Sequence, residues 1–304
     1  MELHDKNLNR SPRVAIAKEG GRRENVRRSL ELIIDDIERG RASRRPLIKP
    51  NFVSSTNQLA SSHVDQVRGI LDVFTSIYRD KIIIAEAACY DTEAAYNNFG
   101  YRRLTDEYNV ELRDLNHEPA QTVMVLDRQG RRIPIRVAEM LLHTGYYLIS
   151  AANMKTHDTV VVTLAIKNLA VGCIVGTDKK SVHQGIVCTN QNIAMLAGLL
   201  WPDLSVIDGY EGMEGNGPTQ GDPVPLGIAL TSTDALAADR VACEIMAVDF
   251  HNVGYLHLCA ERGLGEADLH KIEILGEPVG ECIRPFKLHK SVRDQYAWKS
   301  KLYL

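Results

Sequence analysis

The chain has 304 residues, 44% of them hydrophobic and 25% charged, with a net charge of −3 and a pI near 6.4. That length can bury a sizeable core, in one large domain or two modest ones. The near-neutral balance argues against a nucleic-acid or membrane-surface binder, which would carry a basic excess. Six scattered cysteines without a C-x-x-C pair argue against a disulfide framework, a zinc ribbon or an iron–sulfur module.

No apolar run approaches the roughly 18 residues of a membrane span, and Met1–Lys6 has no apolar signal-peptide core. Reduced, buried thiols and a cytoplasmic location are expected. The arginines of 22–28 and 39–45 form either a solvated face or an anion-contacting surface.

In chain order, Arg13–Lys18 is a short apolar run. A helix over Asn25–Gly40 follows, with Val26, Leu30, Ile33, Ile34 and Ile37 at helical spacing. Pro46–Ile48 is a strand. Ser62 starts a helix with Asp65 in its first turn and a stripe of Val64, Val67, Ile70, Leu71 and Phe74. Lys81–Ala85 is a strand, Thr92–Asn98 a helix and Val110–Leu115 a strand. Gln121–Val137 reads as a hairpin turning at Asp127–Gly130. A helix from Ala138 precedes the strand Tyr146–Ser150. Then come a helix at Asn192–Trp201, strands at Leu204–Ile207 and Leu226–Ser232, and a helix at Ala235–Ala247. Strands alternating with amphipathic helices imply an α/β fold, a mostly parallel mixed sheet with helices on both faces. It reads as one interwoven domain over residues 13–285, with room for a smaller lobe, and a basic C-terminal tail over 286–304. Gly209–Leu226, rich in glycine and proline, reads as a long functional loop.

In open α/β sheets ligands gather at the carboxyl ends of the strands. There the sequence places Lys49 and Asn51, Glu86, then Asn153, Lys155 and His157, then Asp208 with Glu211 and Glu214, and finally Ser232 and Asp234. Asp208 and Asp234 can equally cap the helices that follow. Lys167 and Asn168 follow the apolar run Val160–Ile166 and either end a helix or aim into a pocket. A lysine in apolar surroundings loses basicity and can act as base or nucleophile. His157 and His183 suit an acid/base pair, a metal site or an anion site.

Lys49-Pro-Asn51, Lys155-Thr-His157, Thr163-Leu-Ala-Ile-Lys167-Asn168, His183, the string Asp208-Gly-Tyr-Glu-Gly-Met-Glu-Gly-Asn-Gly-Pro218 and Asp234-Ala-Leu-Ala-Ala-Asp239 together resemble the DUF362 family, over roughly Arg13 to Gly280. Many members of that family add a ferredoxin-like cysteine cluster, which this sequence lacks, so no iron–sulfur cluster is expected. His157, Lys167 and His183, ten and then sixteen residues apart, also resemble the nickel-pincer lactate racemase family. There the lysine tethers a nickel cofactor and histidines ligate the metal or move the substrate proton. That resemblance implies that Lys167 is the tether, although Thr163-Leu-Ala-Ile replaces the family's small-residue run.

The expected function is an enzyme acting on a small anionic carboxylate or phosphate by His/Lys acid–base or metal-assisted chemistry, of lyase, isomerase or racemase type. His157, Lys167 and His183 would be catalytic. Lys49, Asn51, Lys155, Asn168, Gly215, Asn216 and Gly217 would bind the cofactor or ligand. Glu86, Asp208, Glu214 and Asp234 would hold a divalent metal ion. The alternatives are a non-catalytic cofactor or metal carrier, and a subunit of a complex or homo-oligomer docking through the tail residues Tyr296, Trp298, Tyr303 and Leu304. No nucleic-acid or membrane partner is expected.

Overall fold

The three-dimensional structure, a computed structural model, describes residues 11–300 and 302. Met1–Lys6 and the tail residues Tyr303 and Leu304 lie outside the described residues. The strand β1 (Arg13–Ala17) leads into helices α1 (Arg22–Glu31) and α2 (Ile34–Arg41) and then β2 (Arg45–Lys49). Next come α3 (Val64–Ile77), β3 (Ile82–Glu86), α4 (Thr92–Asn98), the single turn α5 (Leu104–Glu107) and β4 (Val110–Asp114). A hairpin of β5 (Ala120–Leu126) and β6 (Arg132–Ala138) precedes β7 (Tyr146–His157) and its short partner β8 (Val161–Thr163). The second half holds α6 (Ala165–Gly172), α7 (Gly185–Ala197), β9 (Leu204–Asn216), β10 (Gln220–Ser232), α8 (Ala235–Ile245), α9 (Gly254–Glu261) and β11 (Glu273–Gly276).

Nine strands form one sheet in the order β11-β1-β10-β9-β7-β2-β3-β4, with β8 against β7. The run from β9 through β7, β2 and β3 to β4 is parallel. β10 is antiparallel to both β9 and β1, and β11 is parallel to β1. The expected α/β architecture is the one observed. Successive strand residues serve opposite faces, as the pleat requires. Leu47, Ile83 and Ile207 pack with Leu169, Ile193 and Leu236 of α6 to α8. Ile48, Ile84 and Ile149 pack with Leu30, Ile70 and Phe74 of α1 and α3. Burial on both faces is why these strands read as continuous apolar runs.

Several expectations are corrected. The helix expected over Asn25–Gly40 is two, broken at Leu32 and Ile33, so that Ile33 and Ile37 both bury. The helix expected from Ala138 is a short 3₁₀ turn, Glu139–Leu142. The helix expected over Asn192–Trp201 is α7, which starts and ends earlier. The expected hairpin over Gln121–Val137 is present as β5–β6, and its Val125, Ile135 and Val137 join the main core. The long loop expected over Gly209–Leu226 is instead the far half of a β9–β10 hairpin, paired from Asn216↔Gln220 to Glu211↔Pro225 with a bulge before Ile228. Its prolines fit because β1 pairs with β10 at Ala229–Thr231, leaving the second edge of the Gln220–Pro225 stretch without a strand neighbour among the described residues. Its glycines allow close approach: a Cβ on Gly217 would lie 2.2 Å from the Thr156 carbonyl oxygen of β7.

The C-terminal segment packs on the same chain. Phe286, Gln295 and Trp298 are buried. The Gly215 amide donates to the Lys287 carbonyl at 2.6 Å, and the Lys287 amide donates to Glu214 at 2.8 Å.

Candidate functional site

β2 and β3 end side by side on Lys49 and Glu86, and both side chains are buried. Lys49 Nζ donates to Glu86 Oε2 at 2.6 Å, to the Pro50 carbonyl at 2.8 Å and to Asn168 Oδ1 at 3.1 Å. Asn168 in turn donates to the Lys49 carbonyl and to Ser150 Oγ at the next strand. Asn168 and Lys167 stand in the first turn of α6, because the apolar run before them divides between β8 and the helix start. Gly172, one turn later, leaves room for the lysine: a Cβ there would lie 2.2 Å from Lys49 Nζ.

β7 runs seven residues beyond Ser150, and its alternation puts Asn153, Lys155 and His157 on one side. Lys155 Nζ donates to Asn51 Oδ1 at 2.6 Å and to the Ala60 carbonyl at 2.7 Å. Lys179, from a 3₁₀ segment over Gly176–Val182, donates to the Ala87 carbonyl. Lys167 has no hydrogen-bond partner among the described residues.

Lys49, Lys155, Lys167 and Lys179 are thus buried together, at 0%, 0%, 7% and 8% exposure. Desolvation disfavours an ammonium, and neighbouring ammoniums add to that. Burial pushes Lys155 down to about 7, with the charge of Lys167 contributing next. Burial pushes Lys167 down to about 8, against the pull of Asp158. Lys49 is also lowered by burial, although Glu86 opposes it and Lys179 adds to it.

His157 and His183 lie beside Lys167. Their ring centroids are 6.4 Å apart and their planes differ by 12°. Burial, then the charge of Lys167, pushes His157 down to about 3. His183 is lowered by the same two causes, although the residue as a whole is exposed. His157 Nδ1 accepts from the Thr159 amide at 3.1 Å, which puts the proton of the neutral ring on Nε2. Asp158 Oδ1 lies 3.1 Å from the same nitrogen and would accept a hydrogen bond from it when Nδ1 carries a proton. His183 Nδ1 sits 3.1 Å from the Lys179 carbonyl, so it carries its proton there and leaves a lone pair on Nε2. The pair offers one N–H and one basic nitrogen, as acid–base work requires.

Two supports escaped sequence reasoning. Asp239, fully buried on α8, accepts from the Ala165 amide at 2.9 Å and the Ile166 amide at 3.1 Å, capping the helix that carries Lys167. Burial raises it to about 8 despite those two donors. Gln295 accepts from the Val161 amide at 2.5 Å and donates to the His157 carbonyl at 3.1 Å. It thereby holds the β7–β8 turn, in which Val161 takes a φ of +68°, a strained conformation for a β-branched residue. Both partners are remote in sequence, so no local signal marks them. The strand-end rule could have found Cys89, three residues after Glu86. It is exposed, which corrects the expectation that all the thiols are buried.

The structure brings together His157, Lys167, His183, Lys49, Asn51, Lys155, Asn168 and Glu86. Gly215 and Gly217 line up beside them: Thr156 Oγ1 donates to the Gly215 carbonyl at 3.0 Å, and Gly217 abuts Thr156. Asn216 is exposed at the hairpin tip. The four carboxylates expected to bind metal do not converge. Glu86 pairs with Lys49, and Asp208 with Arg22 at 2.8 Å. Glu214 holds the Lys287 amide. Asp234 caps α8 through the Leu236 and Ala237 amides. Among the described residues no group of three or more His, Cys, Asp or Glu side chains is placed to share an ion.

Residues 47–244 match the family described as a domain of unknown function, DUF362. The chain belongs to the DUF362 family. The match runs from within β2 to within α8 and includes every lysine and histidine of the cluster. A thylakoid-associated protein of Synechocystis sp. is 36% identical over 106 residues, 34% of this chain and 33% of that relative. This DUF362 chain therefore aligns with only a third of that relative's length. A crystal structure of a protein from Thermotoga maritima aligns over 74% of this chain and 59% of its own, at 14% identity and a TM-score of 0.46. Among the described residues no helix is long and apolar enough to cross a membrane.

Proposed function

We propose that this DUF362 protein is an enzyme acting on a small anion, a carboxylate or phosphate, by His/Lys acid–base chemistry. The observation that carries the reading is four buried lysines of which, among the described residues, Lys49 alone is paired with a carboxylate, Glu86. Buried like charges are costly unless something compensates them. A bound anion would supply that compensation and would restore the basicity that Lys155 and Lys167 have lost. Lys167 orients the anion, and Lys155 adds to the field. His157 Nε2–H and the His183 Nε2 lone pair give and take the proton. The six free thiols are consistent with a cytoplasmic location.

Lys167, with no hydrogen-bond partner among the described residues, also fits the tethering lysine that the racemase resemblance implies. The scattered carboxylates supply no metal set, so any ion there would draw its donors from the histidines and the cofactor itself.

Titration calorimetry with oxalate and with inorganic phosphate tests the reading. One anion should bind per chain. Lys167→Met or Lys155→Met should each weaken it by roughly tenfold or more, since a hydrogen bond to a charged group contributes about 1.5–3 kcal/mol. Both lysines carry charge only below their lowered values of about 7 and about 8. Affinity should therefore fall between pH 6.5 and 9, with proton uptake on binding across that window. Absence of binding by either anion at any pH would sink the proposal. A carrier without turnover is the second reading. A bound 2-hydroxy acid recovered from D₂O with no deuterium at its α-carbon would favour it.

A further inference from the structure

A cavity of about 390 Å³ opens between the start of α3 and the turn that follows α4, and no lysine or histidine of the cluster lines it. That volume is within the range of small-molecule sites. Three guanidiniums line it, those of Arg68, Arg102 and Arg103, and among the described residues no carboxylate does. Arg68 is fixed from outside the cavity. Glu107 accepts from its Nε and its Nη2 at 2.7 Å each, and Asp65 from its Nη1 at 2.8 Å. Each Nη keeps a second N–H. Arg102 pairs with Glu93. Arg103 has no side-chain hydrogen bond or ion pair among the described residues, so its charge is the uncompensated one at the cavity.

Two side-chain amides line the same space with their donors already used. Gln58 Nε2 donates to the Ser61 carbonyl at 3.2 Å, and Asn98 Nδ2 donates to the Ser55 carbonyl at 2.9 Å. Their amide oxygens are left to accept from a ligand. Phe99 adds apolar surface, its ring held 5.6 Å from that of Phe52.

We infer that this cavity is a binding site for a small polyol phosphate, with the phosphate on Arg103 and Arg68 and the hydroxyls on Gln58 and Asn98. Phosphate oxygens accept, and a guanidinium meets them with a planar fork of donors. The amide oxygens need donors, which a phosphate dianion lacks and hydroxyl groups supply. A phosphate ion alone would leave most of the volume unfilled. The site shares no residue with the lysine cluster, so it stands or falls separately from the acid–base reading.

Sorbitol 6-phosphate is the probe, because it has no carbonyl group to form an imine with a lysine. Hydrogen exchange of the full chain, read by mass spectrometry, shows where it binds and at what concentration. It should slow exchange in residues 97–104. Sorbitol and inorganic phosphate should each need concentrations about tenfold higher or more to protect that segment. Arg103→Gln should weaken the protection by about tenfold or more, as for a lost hydrogen bond to a charged group, with an unchanged melting temperature because Arg103 holds nothing else. Lys167→Met should leave the protection as it is. Equal protection of 97–104 in the unaltered chain and in Arg103→Gln would overturn the site, as would protection confined to residues 153–170. Inorganic phosphate acting at the same concentration as sorbitol 6-phosphate would overturn the polyol phosphate as its ligand. Absence of oxalate binding would remove the acid–base reading and leave this site standing.

Discussion

Asp239 keeps two amide protons of α6 satisfied without touching solvent, and burial holds its carboxyl near 8 where 3.8 is usual. Between those values the folded chain keeps a proton that the unfolded chain has lost. Stability therefore falls as pH climbs through that window and levels off above about 8. Asp239→Asn cannot ionise, so it should flatten this slope. It also gives up one of two amide acceptors, at a cost of about 1 kcal/mol, as for lost helix caps. Urea unfolding of both proteins at pH 5, 7 and 9 checks this. The unaltered protein should lose stability relative to the variant as pH rises, and parallel curves would contradict the assignment. If Asp239 matters chiefly by setting the angle of α6, Lys167 is the residue that feels the change.

The long hairpin shows how an element can support a site while contributing few side chains to it. Gly217 lies against backbone, the Thr156 carbonyl, between Lys155 and His157. In Gly217→Ala the methyl group has no flexible neighbour to displace, so the hairpin tip must move off β7. A loss of about 1–3 kcal/mol is expected, the range for overpacked positions, together with weaker oxalate binding. Gly21→Ala, with nothing within 4 Å of the added carbon, serves as control and should stay within about 0.5 kcal/mol of the parent. Equal stability of the two variants would show that the approach of Gly217 to β7 does not constrain the hairpin. This element is also where the sequence was hardest to read. Leu204–Ile207 and Leu226–Ser232 carry a strand signal, but between them the glycines and prolines conceal two paired arms, because their reasons for being there are tertiary. The strands β1, β2, β3 and β4 needed no such context: their apolar runs sit between turn residues. Lys49, Lys155, His157 and Lys167 were legible because each follows such a run, whereas Lys179, in the polar segment before His183, carried no signal of burial. Asp239 and Gln295 were not, because their partners lie 74 and 138 residues away.

At the scale of the whole molecule, the segment Phe286–Ser300, outside the family match, packs against the β7–β8 turn. Trp298 is 2% exposed, and Gln295 reaches the backbone of both arms of the β7–β8 turn. A chain ending at Pro285 should lose about 3–5 kcal/mol from the missing Trp298 alone, by analogy with large core truncations, and should melt well below the full chain. An unchanged melting temperature would show that the turn keeps its shape unaided. The sheet itself draws on the same range of sequence, since β1 and β11, both outside the match, complete one edge.

The bond from Gln295 to His157 also sets an order of events during synthesis. By the time residue 183 has been made, every lysine and both histidines of the cluster exist, and β2, β3, β4 and β7 can already associate. Yet β9, which covers the other side of β7, and the glutamine that fixes the strained turn at Val161 emerge later. A nascent chain halted before them would display four cations with neither their final walls nor their final spacing. The basic centre is therefore among the last parts of the molecule to take shape, and a ligand that requires all of it can bind only a finished chain.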